Sequence, residues 1–299
     1  MAKDPLQGRV TAVHGRHYRV TIDHTDQSRH CYPRGKKAGI AVGDHVLILP
    51  EGEHEGVITE VLPRRNLFYR SDIQRSKLFA ANIDQLLLVL AAEPEFSDDL
   101  LGRALVAASS ADIPAHIVLN KADLPTTAAA RQRLGATEAL GVPVHMLSAL
   151  NAAQVHEQLL PLLQDRCTLL LGQSGMGKST LLNALVPDAL AATQAHSEAL
   201  GTGRHTTTLT RLYALPGGGD LIDSPGFQAF GLQHLDPREI EHGFPEFAPA
   251  IAQCRFYNCT HRHEPGCGVL AAITQGAISA QRHALYLRIL AENEAAKRY

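Results

Sequence analysis

CTLLLGQSGMGKSTLLNALV, residues 167–186, joins two apolar runs through a glycine-rich turn that ends in Lys-Ser. The turn itself, GQSGMGKS at 172–179, fits the spacing G-x-x-x-x-G-K-[ST] with Gly172, Gly177, Lys178 and Ser179. CTLLL reads as a strand and STLLNALV as a helix, so the motif stands in the strand–loop–helix context that it requires. Glycines let successive backbone N–H groups wrap an anion, and the helix N-terminus adds a favourable dipole. Gly172, Gln173, Ser174, Gly175, Met176, Gly177, Lys178, Ser179 and Thr180 are therefore expected to cradle the phosphates of a nucleoside triphosphate. In that setting the lysine reaches the β- and γ-phosphates and the serine hydroxyl binds Mg²⁺.

Two further motifs say which nucleotide. LIDSPGF at 221–227 ends an apolar run in Asp-x-x-Gly, which puts Asp223 near the metal and the Gly226 amide near the γ-phosphate. VLNKADLP at 118–125 offers Asp123, a carboxylate able to accept from both N1–H and the 2-amino group of guanine, with Asn120 and Lys121 supporting loop and base. Adenine has neither donor and would leave that carboxylate unpaired. One strand–helix unit later, HMLSA ends in Ser148 and Ala149, matching the short backbone contact that GTPases make to guanine. The base-reading loops here precede the phosphate loop, whereas in an ordinary GTPase they follow it. The order is a cyclic rotation in which every motif keeps its own strand end, so the chain reads as a circularly permuted GTPase domain.

That domain is one of three regions. With 299 residues, 45% apolar and 19% charged, the chain is long enough for a well-buried multidomain protein. Residues 5–62 contain short β-branched runs between Gly-, Asp- and His-rich turns, the pattern of a small antiparallel barrel of OB or SH3 type. DQLLLVLAA and AHIVLNKAD read as strands buried on both faces, alternating with helices expected at 98–112, 127–140 and 153–164, an α/β pattern with a parallel sheet. LTRLYALPGGGDLIDSPG reads as two antiparallel strands, and the chain from about 234 is mostly helical. Boundaries are expected at 1–70, 71–232 and 233–299.

Barrel, permuted motif order, GRHTTT at 203–208, DSPGF and a terminal Cys/His module together resemble the RsgA (YjeQ) GTPases, over nearly the whole length. The resemblance implies an OB-fold barrel, a circularly permuted P-loop GTPase domain and a C-terminal zinc-binding domain. It also implies GTP hydrolysis stimulated by the small (30S) ribosomal subunit, contact with 16S rRNA and a role in late subunit maturation. GRHTTT then corresponds to switch I, with Thr207 as the Mg²⁺ ligand and Thr206 and Thr208 as alternatives. Phe227 follows Gly226 where many GTPases have a water-orienting glutamine, so the basal rate is expected to be low. His205 is the local candidate for ordering water, with Lys178 and Mg²⁺ stabilising charge.

Cys254-x4-Cys259-x-His261-x5-Cys267 supplies three thiolates and an imidazole, a closed set suited to structural zinc. His263 is the alternative fourth ligand, and the family spacing favours His261. Cys31 and Cys167 lie apart from this group, and Cys167 is expected to be a small core residue. The odd cysteine count and the absence of a leader or long apolar run lead to the expectation of a cytoplasmic protein without disulfides or membrane contact. Nothing demands more than a monomer. Net charge is −2, but residues 1–77 carry 13 Lys and Arg against 9 Asp and Glu. Arg34, Lys36, Lys37, Arg64 and Arg65 are candidate rRNA phosphate contacts, with Tyr32, Phe68 or Tyr69 to stack on bases. Competing readings are a nucleotide-dependent RNA-binding module and an ATP-dependent P-loop enzyme; the latter has no use for NKAD.

Overall fold

The computed structural model describes residues 4–25, 27–35, 39–71, 76–187, 189 and 209–297. At the N-terminal end, alternating apolar residues build β1 (Leu6–His14), β2 (His17–Ile22), β3 (Ser28–Pro33), β4 (His45–Glu51) and β5 (Glu55–Val61). Their inward positions, Val10, Val20, Cys31, Val46, Ile48 and Ile58, are fully buried and form the barrel core. The strands pair in the order β1-β2-β3-β5-β4, with β4 returning to β1 and β3 running parallel to β5. This five-stranded closure is an OB-fold and excludes the SH3-type alternative.

A hairpin, β6 (Leu67–Ser71) and β7 (Ser76–Ala81), leads into the α/β domain. Residues 70 and 71, where the sequence suggests a boundary, lie within β6. The domain continues through β8 (Gln85–Ala91), α1 (Asp98–Ser110), β9 (Ala115–Asn120), α2 (Thr127–Arg133) and α3 (Gly135–Glu138). It ends with β10 (Val144–Met146), α4 (Ala152–Leu163), β11 (Cys167–Leu171), α5 (Lys178–Leu185), β12 (Arg211–Ala214) and β13 (Asp220–Asp223). Every residue of β8 and β11 is buried, as expected of strands covered by helices on both faces. The single helix expected at 127–140 is two pieces, interrupted at Leu134, which is buried, and followed by the poor helix former Gly135.

The α/β strands lie in the order β10-β9-β8-β11-β13-β12, all parallel except β12. From β11 the chain builds to one side, through β13 and β12, while β8, β9 and β10 occupy the other. The strand carrying the glycine-rich turn is thus at the topological switch point, the crevice where open α/β sheets bind ligands. Counted from β11, the spatial order becomes 6-5-4-1-3-2, a continuous doubly wound sheet whose chain has been opened elsewhere. β1 of the barrel pairs with β12, so the two domains share one sheet of eleven strands among the described residues.

Beyond the sheet, helices at Pro237–His242, Ala248–Ile251, Gly268–Thr274 and Ala280–Ala296 form the C-terminal domain around Phe244, Phe247 and Tyr286. The first of these has a full capping box from Asp236 and Glu239 with Pro237 at its start. The last helix is clamped to α1 by Arg103, whose guanidinium is almost fully buried and bonds both oxygens of Glu292, at 2.8 and 2.6 Å, and Asp99 at 2.7 Å. Arg288 adds a second bond to Asp99 at 2.7 Å. Removing one partner of a buried pair costs about 3–5 kcal/mol, but both carboxylates here are part-exposed and would be resolvated. Arg103→Met is therefore expected to destabilise the protein by about 1–3 kcal/mol, read as an earlier urea midpoint; an unchanged midpoint would remove this clamp from the account.

Candidate functional site

β9 ends at Asn120, which is only 2% exposed. Its Nδ2 donates to the Met176 carbonyl at 2.9 Å, and its Oδ1 accepts from the Ala149 N–H at 2.8 Å. One carboxamide therefore ties the loops after β9, β10 and β11 to one another. Gly177 has φ +87°, and a Cβ there would fall 2.2 Å from Asn120 Nδ2. Both the backbone conformation and the close approach require glycine.

Next to Asn120, Lys121 adopts φ +59° and its Nζ donates to the Glu93 carbonyl at 2.6 Å. The chain thereby turns so that Asp123 is exposed, while the Ser148 hydroxyl holds its carboxyl below the usual range. Asp123 and Ser148, with Ala122, Leu150, Asn151 and Gln154, line an open depression of about 480 Å³. Gln154 fixes this second loop by accepting from the Ser148 N–H at 3.1 Å. The result is a carboxylate in a depression whose two loops are tied by Asn120 to the glycine-rich turn.

In that turn Ser174, Gly175, Ser179 and Thr180 are exposed, whereas Gly172, Met176 and Lys178 are buried. Lys178 Nζ donates to the carbonyls of Gly172 at 2.8 Å and Gln173 at 3.2 Å. Burial pulls its ammonium below the ordinary range, with nearby Asp223 working in the opposite direction. Asp223 is buried at the end of β13, and Gly226 lies against the turn: a Cβ on it would be 3.2 Å from Lys178 Nζ and 3.3 Å from Ser174 N. Phe227 is buried and its N–H donates to the Gly172 carbonyl at 3.4 Å. Backbone amides, a buried cation, a helix start and an adjoining carboxylate thus surround one small volume, an arrangement suited to a metal-bound polyphosphate.

A second centre lies in the C-terminal domain. The ligand atoms of Cys254, Cys259, His261 and Cys267 all lie within 4.8 Å of one another. Cys254 Sγ is 4.0 Å from Cys267 Sγ and 3.7 Å from His261 Nδ1, which is 3.4 Å from Cys267 Sγ. A tetrahedron with Zn–S of about 2.3 Å and Zn–N of about 2.0 Å has edges of about 3.5–3.8 Å, so the donor set fits that ion. Although burial works against it, the Leu270 N–H and the His261 ring hold the Cys267 thiol below its ordinary value. The Gly268 N–H donates to Cys254 Sγ at 3.3 Å. His261 is buried and its Nε2 meets Glu241 Oε2 at 2.9 Å, the carboxylate partner that metal-bound imidazoles commonly have. His263 is exposed and lies outside the group.

Residues 61–233 match the family model described as RsgA GTPase. Over the full length of both chains, the sequence is 64% identical to the small ribosomal subunit biogenesis GTPase RsgA of Bordetella pertussis. The chain belongs to the RsgA GTPase family. A relative of the same name in Burkholderia pseudomallei is 56% identical over 96% of this chain and 92% of its own. The fold is similar to YjeQ from Thermotoga maritima, at TM-score 0.73 and 31% identity over 97% of this chain and 99% of that one. It is also similar to YloQ, described as a circularly permuted GTPase, at TM-score 0.70 and 27% identity over 98% and 96%. Like other RsgA-family chains, this one is a GTPase.

His205 and Thr206, Thr207 and Thr208 lie outside the described residues, as do Lys36 and Lys37. Arg34 is exposed. Arg64 is held by both oxygens of the fully buried Asp44 at 2.6 Å, and Arg65 by Asp84 at 2.6 Å and the Asn82 carbonyl at 2.9 Å. Phe68 is buried against Phe79 and Phe230 and so is not open to a base as the sequence suggests, while Tyr69 is half-buried with His234 on its ring at 3.9 Å between centroids. Cys167 is buried as expected, its thiol pushed up to about 11 by burial. Sequence reasoning missed Gln154, Leu150 and Glu241. Leu150, directly after the Ser-Ala pair and 81% exposed, was the most detectable.

For the candidate metal centre, His261→Ala is expected to lose zinc and His263→Ala to retain it. Glu241→Gln should weaken zinc affinity about 10–100-fold. Metal content and chelator competition on the purified variants measure all three.

Proposed function

We propose that this chain hydrolyses GTP as a late factor in small ribosomal subunit biogenesis, with turnover stimulated by that subunit. The observation that carries the nucleotide assignment is the Asn120 carboxamide, which brings the loop of Asp123, the Ser148–Ala149 loop and the phosphate loop into one site. Asn120, Lys121, Asp123, Ser148 and Ala149 would recognise guanine. Residues 172–180 would hold the phosphates, and Gly226 would sense the γ-phosphate. Ser179, Asp223 and Thr207 would hold Mg²⁺, which when bound neutralises charge on the β- and γ-phosphates.

Because Phe227 is apolar and packed away beneath the loop, it has no group with which to order water. We assign that task to His205, with Lys178 stabilising charge in the transition state. Ribosomal targeting is supported by the names of relatives at 64% and 56% identity over nearly the whole chain. The partner is then 16S rRNA within the 30S subunit, with Arg34, Lys36, Lys37, Arg64 and Arg65 on the barrel as proposed contacts. The C-terminal metal would be structural zinc. No described helix is long and apolar enough to cross a membrane, which is consistent with work on cytoplasmic ribosomes. We further propose a monomer of three functional parts, with the barrel ending before the β6–β7 hairpin and the division near 232/233 kept.

Small subunits added to the purified protein should raise GTP turnover per enzyme; no rise would overturn the ribosomal reading. His205→Ala should lower the stimulated rate about 10²–10⁴-fold with GTP affinity unchanged. Asp123→Asn should weaken GTP binding at least about tenfold and favour xanthosine triphosphate, whose 2-oxo group accepts from an amide. Equal affinities of wild type and variant for GTP would remove Asp123 from base recognition.

A further inference from the structure

The segment between the first two metal ligands, Arg255-Phe256-Tyr257-Asn258, has no part in holding the metal, yet its shape is tightly specified. The Cys259 N–H donates to the Phe256 carbonyl at 3.3 Å, closing a turn with Tyr257 and Asn258 at its corner. At its start, the Arg255 N–H donates to the Gly266 carbonyl at 3.0 Å. Gly266 has φ +74°, and a Cβ on it would be 3.1 Å from Arg255 Cβ and 3.5 Å from its Cδ. The arginine stem therefore lies flat on a glycine, which brings its guanidinium over the Phe256 ring at 5.5 Å.

The outcome is a tip with its aromatic surface turned outward. Tyr257 is 103% exposed and Phe256 is 41% exposed. One exposed aromatic is ordinary for a protein surface. Two in succession, beside an arginine and on a loop clamped at both ends by metal ligands, are not accounted for by packing. The turn itself holds one cation, Arg255, and no Asp or Glu, while Arg262 behind it is paired with Glu294. Ring faces interleaved with guanidinium are how proteins bind unpaired nucleotides without reading sequence. Clamping at Cys254 and Cys259 means that little side-chain or loop freedom is lost on binding.

We propose that the turn Arg255–Asn258 is an RNA-docking tip, in which Tyr257 stacks on an unpaired base, Phe256 widens the platform and Arg255 meets the adjoining phosphate. This deepens the ribosomal reading above and rests on it for the source of the RNA. The chain contains no tryptophan, so Tyr257→Trp places a single fluorophore at the tip. Its emission is expected to be quenched by purified small subunits and by an eight-nucleotide oligoadenylate. Tyr257→Ala is expected to weaken subunit binding about 5–100-fold, and Tyr257→Phe to retain it, with zinc content and subunit-free GTP turnover unchanged in both. Unchanged emission while the Trp variant co-sediments with subunits would overturn the proposal. So would loss of subunit binding in Tyr257→Ala without quenching by oligoadenylate, which would place the tip on protein. If wild type fails to sediment with subunits, the ribosomal reading falls; the oligoadenylate titration then decides the tip alone, quenching upholding it and no quenching overturning it.

Discussion

A buried carboxamide with one donor and one acceptor in use holds the candidate nucleotide site together. Asn120 satisfies the Met176 carbonyl and the Ala149 N–H, two groups that would otherwise be buried without partners inside a crossing of three loops. Because each loop is anchored at the end of its own strand, the crossing depends on strand adjacency and not on chain order. This explains why opening the chain between other strands leaves the site intact. The permutation is a change in connectivity around a constellation maintained by hydrogen bonds and by the close approach of Gly177.

The motif residues were legible because they are local: spacing alone marks Gly172 to Thr180, Asp223 and Asn120 to Asp123. What the sequence left open depends on long-range pairing. OB and SH3 barrels differ in how β4 returns to β1 and how β3 runs beside β5, and no short window records those registers. Similarly, spacing admits His261 and His263 alike, but His261 at φ +56° turns its Nδ1 toward Cys267 while Glu241, twenty positions upstream, takes Nε2. Arg64 and Arg65 read as free basic residues because Asp44 and Asp84 are distant in sequence. Phe68 looked available in LPRRNLFYR, yet strand alternation turns it to the buried face of β6.

The segment after Gly226 has neighbours on both sides. Phe227 and Phe230 pack edge to face at 5.3 Å, and Phe230 stacks on Phe79 of the β6–β7 hairpin. Ser71 pairs with the chain around Leu232, donating to and accepting from its backbone, while Asn293 of the last helix donates to the carbonyls of Gln233 and Leu235. A displacement at Gly226 would therefore press on the hairpin below the barrel and on the helix that Arg103 clamps to α1. The two domains flanking the nucleotide site are wired to one short stretch of chain.

β1 of the barrel meets β12 at the outer border of the GTPase domain's sheet. The contact is one residue pair, Ala12 with Arg211, and without it that side of β12 would be an open strand edge, the kind of edge that pairs with other chains. Arg9 of β1 also reaches across to Asp220 and to the Cys167 thiol, giving the join a side-chain latch. The N-terminal domain thus covers part of its neighbour's outer strand, so a change that loosened this join would expose a strand edge as well as free the barrel.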